Sequence, residues 1–206
     1  MTEEDYKIDN ISKKFSKKEL YFHQSIHIKK NCANVLIGRN GSGKTTLMKI
    51  FAGKSSSDTK ILGLPNNIMI LENTAFFIKS LSGLSNIQFA LFSNGSHKST
   101  REIIIAANEF FIDEDTMKSP IYNYSLGTIE KLKFVLLRLS GRIDLFLIDE
   151  PFTSLDDQSY KIISDWLKKS KKTILLSTHS KQIRDDLING YLISLENKKF
   201  KIVKEK

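Results

Sequence analysis

The 206-residue chain is 40% hydrophobic and carries a net charge of +9, which suits one sizeable core and is too short for two domains of ordinary size. No run approaches the roughly 18 consecutive apolar residues of a membrane-spanning helix, and Met1 to Asp9 is acidic and polar, so neither secretion nor self-insertion into a membrane is expected. A basic surface can attract nucleic acid or an anionic membrane face. Here, however, the lysines come in scattered pairs (Lys13-Lys14, Lys29-Lys30, Lys168-Lys169, Lys171-Lys172) without the interleaved aromatics of a single-strand binder, so a merely solvated surface with no specific nucleic-acid partner is expected.

Before residue 32 the chain alternates polar and apolar residues, as in Tyr21-Phe22-His23-Gln24-Ser25-Ile26-His27-Ile28, which predicts antiparallel strands with one wetter face. His23 and His27 would share that face, but without an accompanying carboxylate or cysteine they read as surface residues before metal ligands. The lone Cys32 allows no internal disulfide, fits a reducing cytosol and reads as a small strand residue. Asn31 stands in the turn before the first apolar run; asparagine tolerates a left-handed backbone better than most residues.

Three short apolar runs, Ala33 to Ile37, Leu145 to Ile148 and Thr173 to Leu176, read as buried parallel strands. Each precedes a loop and a helical pattern. Helices are predicted over Thr45 to Ala52, Arg101 to Phe111, Ser125 to Leu139, Asp157 to Lys168 and Ser180 to Ile188, several with apolar residues at i, i+3 and i+4. Strands alternating with helices imply a mostly parallel, right-handed α/β sheet. Glu72 to Tyr124 breaks that rhythm and predicts a helical region beside the sheet, within a single domain. Tyr191 to Val203, with a turn near Glu196 and Asn197, predicts a closing hairpin.

Gly38-Arg39-Asn40-Gly41-Ser42-Gly43-Lys44-Thr45 matches the phosphate-binding loop pattern, and it follows an apolar strand and opens a helix, as that motif requires. The glycines let backbone N–H groups curl round phosphates, and the helix N-terminus adds its positive dipole end. Lys44 is expected to contact the β- and γ-phosphates and the Thr45 hydroxyl to ligate Mg²⁺. Leu145-Phe146-Leu147-Ile148-Asp149-Glu150 is an apolar strand ending in two carboxylates. Alone it is a weak signal. Beside a phosphate loop it predicts Asp149 in the Mg²⁺ shell and Glu150 as the base facing the attacking water. Tyr124-Ser125-Leu126-Gly127-Thr128 reads by itself as an ordinary serine N-cap with a glycine in the first turn.

The order of phosphate loop, Ser-x-Gly helix start, Asp-Glu strand, Ser154-Leu155-Asp156 and His179 resembles the ATP-binding cassette (ABC) family over nearly the whole chain. The resemblance implies a P-loop NTPase core with a mostly parallel sheet, an antiparallel β subdomain and a helical subdomain. In family terms Gly38 to Thr46 resembles the Walker A segment, Asp149 and Glu150 the Walker B pair, Ser154 to Asp156 the D-loop and His179 the switch histidine. Phe15 falls where the family carries an aromatic that stacks on adenine, with a core strand phenylalanine as the other reading. Two departures stand out. Of the family's Leu-Ser-Gly-Gly-Gln signature only Ser125 and Gly127 remain; these are the two that touch the γ-phosphate of the opposing subunit's ATP. Glu72 takes the place of the Q-loop glutamine, where a carboxylate can still coordinate Mg²⁺ or its water. Both departures are similar to export-type cassettes of the antimicrobial-peptide immunity and bacitracin-resistance group.

The resemblance implies an ATP-hydrolysing subunit, with ATP and Mg²⁺ bound, acting as a homodimer or heterodimer of cassettes. With no membrane span, it would power a separate transmembrane permease from the cytoplasmic face of the cell membrane. Phe76 to Leu84 would then either help form the groove for the permease or be subdomain core. A soluble ABC ATPase acting on nucleic acid or ribosomes is the alternative, although such relatives generally carry a long coiled-coil insertion or tandem cassettes. A small GTPase or nucleotide kinase shares only the phosphate loop; Asn197-Lys198-Lys199-Phe200 lacks the aspartate that reads guanine.

Overall fold

The structure, a computed structural model, describes residues 5–16, 18–72, 76–179, 187 and 189–205. By contact density the chain divides into two compact units, one comprising Met1–Ile70, Asp144–Glu150 and Leu167–Lys206 and the other Leu71–Ile143 and Pro151–Trp166.

In the first unit, strands β1 (Asp5–Phe15) and β2 (Lys18–Lys29) form an antiparallel pair running from Asp5 opposite Lys29 to Phe15 opposite Lys18. Ile8, Ile11, Leu20, Tyr21, Ile26 and Ile28 are buried. The alternation is broken by register shifts between Ile8 and Lys14, and Asn10 and His23 take left-handed backbone there, with φ of 62° and 46°. Such bulges re-aim the residues on either side. His23 Nδ1 is thereby hydrogen-bonded to Asn10 Oδ1, and its N–H donates to Ser12 Oγ.

The second sheet has six strands in the order β4-β5-β6-β3-β7-β8, comprising β3 (Ala33–Ile37), β4 (Ile68–Leu71), β5 (Leu145–Asp149), β6 (Ile174–Ser177), β7 (Tyr191–Glu196) and β8 (Lys199–Glu205). β3 runs parallel to β6 and β7, and β5 parallel to β6. These strands are short apolar runs because both faces are covered: Leu36, Leu147 and Leu175 are fully buried in one cluster with Leu47 of helix α1 (Lys44–Phe51), each worth roughly 1.5–3 kcal/mol of burial. The β7–β8 hairpin turns on Asn197 and Lys198, both at positive φ, the backbone that a two-residue type I′ turn needs.

The second unit is mainly helical, with α2 (Gly83–Ser93), α3 (Thr100–Asn108), α4 (Glu114–Lys118) and α5 (Leu126–Leu139). Serine or aspartate side chains cap their starts: Ser82, Ser99, Asp113 and Ser125 each accept an N–H from the first turn. Ser99 and Glu102 close a reciprocal capping box, which starts α3 at Thr100, one residue before the predicted Arg101. That helix ends at Asn108 and not at Phe111, whose φ of 56° is left-handed. Helix α6 (Asp157–Lys169) begins after Asp156, whose carboxylate accepts the Ser159 N–H at 2.7 Å. Phe110, Phe134, Phe152, Tyr160 and Trp166 form a chain of ring contacts with centroids 5.3–6.3 Å apart. Phe77 is buried, while Ile78 and Leu81 are exposed, so within the segment Phe76 to Leu84 the core reading fits Phe77.

The mostly parallel sheet, the antiparallel pair and the helices match the architecture expected from the sequence, and strand β3 and the hairpin fall where they were predicted. The helix predicted from Ser180 to Ile188 lies outside the described residues, Leu187 apart.

Asn31 has a φ of 59°, and its N–H donates to Thr173 Oγ1 at 3.0 Å. A β-branched residue there meets the steric cost of left-handed backbone, about 1–2 kcal/mol. Asn31→Val should therefore lower the unfolding free energy by that amount, read as a lower urea midpoint at unchanged m-value, while Asn31→Gly should leave the midpoint equal or slightly raised.

Candidate nucleotide site

The loop after β3 wraps the start of α1. Its glycines carry the unusual backbone, with φ of 74° at Gly41 and 111° at Gly43. At Gly43 a Cβ would lie 3.1 Å from the Tyr21 ring and 3.2 Å from Leu20, so both conformation and space require glycine there. The Lys44 side chain turns back into the loop, its Nζ donating to the carbonyls of Gly38 at 2.8 Å and Arg39 at 3.3 Å, and the residue is buried. Ser42 Oγ is also buried and has no hydrogen-bond partner among the described residues. Among the described residues the buried cation is held by carbonyls and the loop hydroxyl has no partner, an arrangement that an anionic, acceptor-rich ligand would satisfy.

Beside the loop, Thr45 Oγ1 donates to Asp149 Oδ2 at 2.6 Å. A hydroxyl and a carboxylate oxygen brought together in this way are the hard oxygen donors that Mg²⁺ takes, so the residues present fit that ion. Glu150, the next residue, has a φ of 49°, a backbone state that costs a non-glycine residue about 1–3 kcal/mol and tends to occur at functional sites. Its Oε1 lies 3.0 Å from His179 Nδ1, with the glutamate side chain 24% and the histidine 60% exposed.

Lys44, Thr45, Asp149 and Glu150 open on one cavity of about 440 Å³, lined also by Phe15, Lys18, Leu20, Asn40, Gly41, Gly43 and Thr46, a size typical of small-molecule sites. Phe15 is half exposed, and on it Lys13 Nζ sits 5.0 Å from the ring centroid. A second cavity of about 550 Å³ follows the Arg39 to Ser42 side of the loop as far as the β7–β8 turn.

Of the residues singled out in the sequence, Phe15, Gly38 to Thr46, Asp149, Glu150 and His179 all belong to the first unit, whereas Glu72, Ser125 and Gly127 belong to the second. Glu72 is half-buried directly after β4. Ser125 is the exposed N-cap of α5, its Oγ accepting the Thr128 N–H at 3.1 Å. Gly127 packs so closely that a Cβ would lie 2.8 Å from the Ser154 carbonyl, which ties the Ser-x-Gly helix start to the Ser154-Leu155-Asp156 turn. The Asp156 carboxyl is held below its ordinary range, first by the Ser159 backbone hydrogen bond.

Sequence reasoning missed Ser177. This fully buried residue ends β6 opposite Asp149; its Oγ donates to Asp149 Oδ1 and accepts the Glu150 N–H at 3.2 Å. The available signal was a hydroxyl closing an apolar strand just before Thr178-His179.

The family model for the ABC transporter matches residues 22–153. The ribosome protection protein VmlR of Bacillus subtilis (strain 168) is 25% identical over 191 residues, 92% of this chain and 34% of VmlR. The lantibiotic transport ATP-binding protein SrtF of Streptococcus pyogenes is 29% identical over 186 residues, 84% of this chain and 79% of SrtF. A dimeric post-hydrolysis structure of the ATP-binding cassette MJ0796, bound to ADP and Pi, matches with a TM-score of 0.75 at 16% identity, covering 97% of each chain, a likeness of fold. The chain thus spans about a third of VmlR and about four fifths of SrtF. On the match over residues 22–153, carried by a phosphate loop and a carboxylate strand end that the structure brings together, this chain belongs to the ABC transporter family.

Proposed function

We propose that the chain binds and hydrolyses ATP as the cytoplasmic ATP-binding subunit of a transporter whose membrane-crossing part is a separate permease. The observation that carries this reading is the pairing of Thr45 with Asp149 and of Glu150 with His179, with Thr45, Asp149 and Glu150 lining one cavity. Among the described residues no helix is long and apolar enough to cross a membrane, which fits division of labour between chains. The likeness to a lantibiotic transport ATP-binding protein supports a role in transport.

In this reading the loop N–H groups, Ser42 and Lys44 bind the triphosphate, and Phe15 stacks on the adenine. Mg²⁺, when bound, neutralises phosphate charge; Thr45 and Asp149 are the residues assigned to hold it. Glu150 takes the proton of the attacking water, and His179, bonded to the Glu150 carboxylate, keeps that carboxylate oriented and reaches the γ-phosphate. Ser125 and Gly127 belong to the site of a second cassette, so two subunits, identical or not, enclose two nucleotides. The dimeric state of the MJ0796 cassette supports this arrangement.

The likeness to VmlR favours a second reading, a soluble ATPase acting on ribosomes. Fractionating cells expressing the tagged chain separates the two: the transporter reading expects it with membranes, the other with ribosomes.

Lys44→Ala removes the buried side-chain cation that turns back into the loop. ATP affinity should fall by about 10- to 100-fold, the worth of a charged hydrogen bond of about 1.5–3 kcal/mol; unchanged affinity in a calorimetric titration would show that the loop is not the site.

Glu150→Gln should slow hydrolysis by about 10²- to 10⁴-fold while ATP still binds. Bound, unhydrolysed ATP then stabilises whatever assembly encloses it, so this variant should pass from monomer to dimer on adding Mg-ATP in size-exclusion chromatography with light scattering. Ser125→Arg in the same background should abolish the shift. A Glu150→Gln protein that binds ATP and stays monomeric would argue for a different cassette as partner, and one that hydrolyses at the wild-type rate would remove Glu150 from the role of base.

A further inference from the structure

We infer that Ser177 is a positioning residue that sets both carboxylates of the site at once, a role that rests on the ATP-hydrolysing reading above. The serine is fully buried at the last position of β6, in register with Asp149 of β5 on one side and Leu36 of β3 on the other. A hydroxyl has one proton to give and two lone pairs, and this one uses both capacities on adjacent residues. Its proton goes to Asp149 Oδ1 and its lone pair takes the Glu150 N–H at 3.2 Å.

The consequences differ for the two carboxylates. Asp149 accepts Thr45 Oγ1 on Oδ2 at 2.6 Å and Ser177 on Oδ1, so donors at both oxygens fix the plane of the carboxylate and the direction in which Oδ2 is offered. At Glu150 the bond acts on the main chain. Its left-handed φ of 49° is disfavoured for a side chain of this kind, and an N–H bonded to a buried oxygen helps to keep it there. That backbone in turn sends the side chain toward His179, 3.0 Å away. Ser177 has no exposed surface with which to touch a nucleotide, so it acts through its neighbours and is not itself catalytic. Hydrogen bonds that orient a metal ligand typically carry about 10- to 100-fold in metal affinity or activity.

The experiment compares Ser177→Ala, which removes the hydroxyl, with Ser177→Thr, which keeps it. In the alanine variant kcat should fall by about 10- to 100-fold with KM for ATP little changed, and the Mg²⁺ concentration that half-saturates ATP binding should rise. ATP binding in metal-free buffer should stay at the wild-type level, because the loop is untouched. Amide hydrogen exchange at Glu150, read by NMR, should accelerate in Ser177→Ala and return toward wild type in Ser177→Thr. Should the threonine methyl prove too large for the buried site, the exchange and Mg²⁺ measurements on the alanine variant alone still decide. An alanine variant with wild-type kcat, Mg²⁺ dependence and Glu150 exchange would overturn the inference, and so would one that only melts at lower temperature. A wild-type chain that hydrolyses no ATP would instead sink the functional reading, with the exchange and Mg²⁺ results still judging Ser177.

Discussion

A short run of hydrogen bonds, Thr45 to Asp149, Ser177 to Asp149 and Glu150 N–H to Ser177, joins the carboxyl ends of β5 and β6 to the start of α1. It exists because the sheet is parallel there. β5, β6 and β3 lie side by side and point the same way, so their ends and the loop leaving β3 meet at one edge, where open α/β sheets bind ligands. The apolar interiors of those strands supply the stability, and β5 and β6 each end on a polar residue, Asp149 and Ser177. Leu147 and Ile148 are fully buried; Asp149, one step on, is not.

The loop depends on the same edge. Lys44 is both the first residue of α1 and a buried cation, and its bonds to the Gly38 and Arg39 carbonyls bend the loop over itself. Carbonyl dipoles compensate a desolvated ammonium only in part, and the helix N-terminus adds further positive potential at the same place. The loop is thus organised for an anion before one arrives. That is the condition under which binding energy is not spent on reordering the site.

Much of this was legible in the sequence wherever the cause was local. Strand β3 was readable to the residue because Asn31, with its left-handed backbone, and Gly38 bracket an uninterrupted apolar run. Ser125 announces α5 because an N-cap is a short-range hydrogen bond, and the turn expected near Glu196 and Asn197 falls one residue on, at Asn197 and Lys198. The elements that escaped have weaker local signals. β4 is four residues long, too short for a period to show. α2 opens with Gly83 and carries Ser85 and Asn86, which read as loop; yet Asn86 is buried, its amide bonding the backbone of Ile78, Leu81 and Ser82. Lys133 looks like a surface lysine in an amphipathic helix and is instead buried against Glu130 at 2.7 Å; burial pushes the Glu130 carboxyl up and the lysine beside it opposes that. Ser177 escaped for a further reason. Its partners lie 27 and 28 residues away, brought near only by strand pairing, and no spacing rule within one segment encodes such a contact.

The exposure of the candidate groups carries a consequence for the chemistry. Phe15 is 50% exposed, and the His179 side chain, which bonds the Glu150 carboxylate, is 60% exposed. Oriented dipoles and charges stabilise a developing phosphoryl charge far better once water is excluded than in bulk solvent. In a single chain, an aromatic ring and an imidazole half-open to water leave much of that advantage unused. A second surface that covers them would raise the effective strength of Lys44, Glu150 and His179 together, without moving any of them within the unit that already holds them. For the proposed hydrolysis, the candidate groups already stand together at one sheet edge, and the exclusion of water is what a covering surface would add.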